Sequence, residues 1–72
     1  MDDLIEKLAH MMADEIEGSA KYAKCAVKLK ADHPKLAEMF HTMSKQEMEH
    51  MNHLQDAITS QLKALQDKYE QE

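Results

Sequence analysis

The chain has no tryptophan, and only one glycine, one proline and one cysteine in 72 residues. So little turn chemistry leaves few places to reverse the chain and favours long helices. The lone Cys25 excludes an internal disulfide and suits a reducing, cytoplasmic setting. Without a Cys-x-x-Cys pair, a four-thiolate iron site is excluded as well. No apolar run approaches the ~20 residues that span a bilayer. The acidic start, Met-Asp-Asp-Leu, carries no apolar leader core, so no secretory signal is expected. Acidic and basic residues are mixed along the chain, the net charge is −5, and no basic cluster appears. Nucleic acid and membranes are therefore not expected partners. Neither a Ser-His-Asp set nor a glycine-rich phosphate loop is present.

What remains is rich in Met, Leu, Ala, Lys, Glu and Gln, all good helix formers. The expected class is all-α. In the first half, Leu8, Met12, Glu15, Ser19, Tyr22, Ala26 and Leu29 recur in alternating steps of four and three. Asp2 or Asp3 suits the N-cap. Pro34 cannot continue that helix but suits the first turn of another, capped by Asp32 or His33. Leu36, Phe40, Met43, Glu47, His50, Leu54, Ala57, Gln61 and Leu65 repeat the same rhythm. The spacing predicts one helical-hairpin unit over 1–72: helix 1 about 3–31, a turn at 32–33, and helix 2 about 34–68. A turn this short makes the helices antiparallel neighbours.

Three polar residues interrupt the two stripes: Glu15, Glu47 and His50. A carboxylate between helices is costly unless its charge is offset. Glu15 lies seventeen residues before Asp32; Glu47 and His50 lie fifteen and eighteen after it. In an antiparallel hairpin all three fall at one height, ~25 Å from the turn. Glu-x-x-His puts two metal-ligand types on one helix face, and Glu15 adds a carboxylate from the other helix.

A lone hairpin leaves part of each stripe uncovered, so a homodimer or higher oligomer is expected. A two-fold axis perpendicular to the helices would gather two copies each of Glu15, Glu47 and His50. Two divalent cations would neutralise the four carboxylates. Iron or manganese suits such an oxygen-rich set, and zinc can also bind it. Glu47 is the natural bridging ligand, with Glu15 and His50 each serving one metal. The longer second helix would overhang, and Leu62 and Leu65 would cover the partner's turn or join a larger assembly.

These residues resemble half of a ferritin-like or rubrerythrin-like di-iron protein. Such families carry a Glu on one helix, a Tyr seven residues later, and Glu-x-x-His on the next helix. Here these are Glu15 in Ala-Asp-Glu-Ile-Glu, Tyr22 in Ala-Lys-Tyr-Ala, and Glu47-Met-Glu-His50. The usual second hairpin is missing, which makes the dimer obligatory: two hairpins forming one ferritin-like four-helix bundle. The resemblance implies a non-haem di-iron oxidoreductase with two irons per dimer. It would be ferroxidase- or peroxidase-like, acting on dioxygen or peroxide. Tyr22 would donate an electron or hydrogen-bond a ligand carboxylate. Single-hairpin forms also occur among encapsulated ferritins, although no shell-targeting tail is recognisable after Leu65.

Other readings compete with this one. The polar layer would alternatively set the register of a non-catalytic dimerisation module, or hold a structural zinc or manganese ion. Tyr22 would equally serve as a core residue, and Gly18 would admit a close approach or have no role. His53 reads as a solvated neighbour of the site. His10, His33 and His41 read as surface or turn residues. Met11, Met12, Met39, Met43, Met48 and Met51 read as deformable core packing. Cys25 reads as half-buried, and Glu17 and Glu49 as facing water.

Overall fold

The computed structural model describes residues 3–70. Two helices make up the fold, α1 (Asp3–Leu29) and α2 (Pro34–Glu70). Asp2, one of the two expected N-caps, lies outside the described residues; Asp3 is already helical. Helix α1 stops two residues short of the expected Ala31. Pro34 disfavours helical backbone at His33, so the chain must leave the helix earlier to reverse. The His33 amide donates to the Leu29 carbonyl at 2.8 Å, which occupies an acceptor in the last turn of α1. The His33 carbonyl then accepts from the Ala37 amide at 2.9 Å, so His33 rather than Asp32 takes the N-cap position.

The antiparallel pair is slender, 62 × 15 × 11 Å. Because α2 has 37 residues and α1 has 27, α2 overruns its neighbour. At 1.5 Å per residue the overhang is ~15 Å. Among the described residues, only Ala37, Ser19 and Ser44 are buried. The two buried serines link the helices directly. The Ser44 hydroxyl donates to the Ser19 carbonyl at 2.9 Å, and the two hydroxyl oxygens lie 3.1 Å apart. Since the Ser44 proton is committed to the carbonyl, the Ser19 hydroxyl is the donor between the side chains.

The α1 stripe faces α2 as expected, from Leu8 to Leu29. The α2 stripe needs correction. Leu36 is exposed, and Ala37 takes the inner position. Ser44, Met51 and Ile58 then line the contact face beside Phe40, Glu47, Leu54, Gln61 and Leu65. The expected methionine packing is also split. Met12, Met43 and Met51 are half-buried, whereas Met11, Met39 and Met48 are exposed. One hairpin has too little depth to cover both sides of its helices.

Charge is less evenly mixed in space than along the chain. Lys21, Lys24, Lys28, Lys30 and Lys35 never form a run, yet the hairpin gathers them toward the turn end, where Asp32 and Glu38 are the acids. No helix among the described residues is long and apolar enough to cross a membrane.

Candidate metal centre

One turn further from the hairpin bend than the serine contact, the polar layer changes character. Glu15 projects from mid-α1, and Glu47 and His50 project from α2 one turn apart. One ligand atom from each lies within 4.8 Å of the others. His50 Nδ1 is 3.3 Å from Glu15 Oε2 and 3.9 Å from Glu47 Oε1. The level argument made from the turn thus holds in space. The burial argument holds for the two carboxylates, whose side chains are only 25% and 24% exposed. It fails for His50, which is 57% exposed and closes the layer from an open rim. His50 lies eighteen residues after Asp32 but one residue off the contact face marked by Met51.

Electrostatics disfavour the charged form of Glu47 in this layer. The Glu47 carboxyl titrates above the ordinary carboxylate range. Its hydrogen bond with Glu15 is the main cause. Partial burial and the negative charge of Glu15 push the same way, and His50 opposes them. A second carboxyl close by disfavours the charged form of Glu47. A divalent cation would remove that conflict.

Gly18 supplies the room. A Cβ at this position would lie 3.1 Å from Glu47 Oε2 and 3.6 Å from its carboxyl carbon. The Glu47 carboxyl therefore rests over a gap in α1 that any other residue would narrow. A mid-helix glycine costs ~1 kcal/mol relative to alanine, so this gap is maintained against local propensity. Of the two expectations for Gly18, close approach is the one the geometry supports, with Glu47 as the approaching group.

The remaining candidates fall elsewhere. Tyr22 is half-buried and stacks on Phe40, with ring centroids 6.0 Å apart and planes inclined by 27°. It stands nearer the turn than the carboxylates do. His53, Glu17 and Glu49 are exposed, and Glu17 pairs with Lys21 at 3.4 Å. His10, His33 and His41 are exposed, and Cys25 is half-buried. Ser44 was absent from the sequence reading, although the level rule would have found it. It lies twelve residues after Asp32, and Ser19 lies thirteen before.

Two carboxylates and an imidazole form an oxygen-rich donor set of the kind that iron, manganese and zinc accept. The crowded carboxyl pair and the gap at Gly18 fit a cation seated between the helices. No curated protein or solved structure matches this chain. The family model named Rubrerythrin matches residues 6–72, the polar layer and both helices included. A helical hairpin that sets Glu15, Glu47 and His50 around one point, and that matches this model over nearly its whole length, belongs to the rubrerythrin family.

Proposed function

We propose that Glu15, Glu47 and His50 form half of a di-iron centre, which a second copy of the chain completes. The observation that carries this reading is the convergence of three ligand atoms within 4.8 Å in a rubrerythrin-family hairpin. Three protein donors do not fill the coordination sphere of one iron. They suit a shared site, as in helix bundles where each pair of helices contributes half of the ligands.

Bound as a ferrous pair, the ions would supply the electrons that reduce dioxygen or peroxide. The chain's own contribution is placement and charge. Glu47, flanked by both other ligands, is suited to bridging. Glu15 and His50 would each serve one ion. The anionic layer attracts divalent cations, and loading competes with protonation of Glu47, whose carboxyl the Glu15 hydrogen bond pushes up. Tyr22, toward the turn, would donate an electron or a hydrogen bond to the ligand layer.

The test is metal loading of the anaerobic protein with ferrous iron, followed by admission of air. Uptake of about one ion per chain with fast growth of ferric absorbance supports the reading. Binding without oxidation reduces it to a structural zinc or manganese site. Absence of binding leaves a helical interaction module.

A further inference from the structure

The open flank of the metal layer belongs to a stripe on each helix. On α1, Met11, Gly18 and Cys25 recur every seven residues, each one residue before the contact-face positions Met12, Ser19 and Ala26. On α2, Leu36, Met43, His50, Ala57 and Ala64 also recur every seven residues, each one before a contact-face position. Residues that precede the contact face lie on the same side of an antiparallel pair of right-handed helices. The two stripes therefore flank one side of the hairpin, the side on which His50 is exposed. Neither stripe contains a charge. Four charges of α2, Glu49, Asp56, Lys63 and Glu70, share a different seven-residue repeat. Within these stripes Met11 and Leu36 stand 52% and 42% exposed, and nearby Met39 stands 46% exposed.

Helix α1 also has electrical polarity. From Asp3 to Glu17 it carries Asp3, Glu6, Asp14, Glu15 and Glu17 against Lys7. Beyond Gly18 come Lys21, Lys24 and Lys28, followed by Lys30 in the turn, with no acid among them. Two α1 helices side by side in parallel would align like halves. Antiparallel, each lysine half runs along the other's acidic half.

We infer that a second copy of this chain docks on the Met11–Gly18–Cys25 edge, with the two α1 helices antiparallel and acidic half against lysine half. This rests on the shared-site reading above, whose perpendicular two-fold already makes the α1 helices antiparallel, and it adds the surface and the force that selects that orientation. The crossing point lies at the level of Glu15, so the two open metal layers face each other. Charge complementarity selects the orientation because like charges brought together are penalised, while opposite charges speed encounter. Gly18 acquires a second use: it lets the partner helix approach as well as making room for Glu47.

The chain carries a probe for this geometry. Lys7 and Cys25 are eighteen residues apart, five whole turns, so they point the same way from α1. Within one chain they are ~27 Å apart and cannot bridge. Antiparallel docking about Glu15 brings Lys7 to within two residues, ~3 Å, of the level of the other copy's Cys25. Parallel docking sets Cys25 against Cys25. The experiment oxidises wild type and Lys7→Cys with diamide, with Mn(II) present, while sedimentation in reductant reports the oligomer and circular dichroism reports the helix content.

The expected result is a covalent dimer for Lys7→Cys and none for wild type. The dimer should weaken about tenfold or more from low to high salt, and Lys24→Glu/Lys28→Glu should weaken it comparably at low salt. A Cys25–Cys25 dimer of wild type overturns the antiparallel orientation. A helical, dimeric Lys7→Cys protein that forms no disulfide overturns the docking edge and leaves the shared-site reading standing. A salt-insensitive dimer overturns the role given to charge. Wild type that remains monomeric with and without Mn(II) overturns the edge and the shared site together.

Discussion

Two polar layers lie one helical turn apart between the same two helices. At Ser19 and Ser44 both hydroxyls are buried, and each donates within the layer. At Glu15, Glu47 and His50 the groups are less buried, yet Glu47 titrates above its ordinary range because Glu15 crowds it. The serine layer is complete without help. In the carboxylate layer the charged form of Glu47 is disfavoured by its neighbour. Polarity in a seam is therefore a weak indicator of function by itself. A polar group whose needs its neighbours leave unmet is a stronger one, since only an added cation or proton resolves it.

The largest expected effect is at Glu47. Glu47→Ala should abolish metal binding in both halves of a shared site at once, read as metal content after anaerobic loading. A variant that keeps two tightly bound ions per dimer would remove Glu47 from the bridging role. Ser44→Ala is the matched change in the other layer. It should cost about 1–2 kcal/mol of stability in thermal or urea unfolding and leave metal affinity unchanged. If affinity fell as well, the two layers would not be separable.

Gly18→Ala sharpens the contrast because its two effects have opposite signs. Alanine should stabilise α1 by about 1 kcal/mol. The new Cβ should displace the flexible end of Glu47 by a few tenths of an ångström, since the contact would otherwise be 3.1 Å. Metal affinity should fall about tenfold, or ~1.4 kcal/mol. A rise in both melting temperature and affinity would contradict the role assigned to the gap.

The smallest effect is in pH dependence. The folded-state Glu47 carboxyl holds its proton more tightly than an unfolded one. Its contribution to the stability of the metal-free protein is therefore present in acid, and is lost as pH rises through the raised value. Metal affinity should change the other way and strengthen as pH rises, because the cation displaces that proton. Glu47→Gln should flatten the pH dependence of metal-free stability in this window. An unflattened curve would assign the dependence to another group.

Much of this architecture was legible in the sequence. Periodicity and Pro34 predicted two helices and their junction, and counting outward from Asp32 aligned Glu15 with Glu47 and His50. The α2 stripe was less legible because two faces one residue apart share Phe40, Glu47, Leu54 and Gln61. Hydrophobicity cannot separate them when Leu36 and Met43 on one face are more apolar than Ala37 and Ser44 on the other. The close serine contact reverses the usual preference: small side chains permit close approach, and a hydroxyl can satisfy a carbonyl there. Large apolar residues are left outside for a second surface.

Local covalent chemistry determined the helices, the bend before Pro34 and the ligand types, because backbone propensity and residue spacing act within a few turns. Whether Leu36 or Ala37 faces α1, whether His50 is enclosed or stands at a rim, and why α1 carries a glycine at its middle were decided only when the helices met. Those outcomes depend on side-chain volume and charge across a gap of a few ångströms, where residues 25 to 35 positions apart first come into contact.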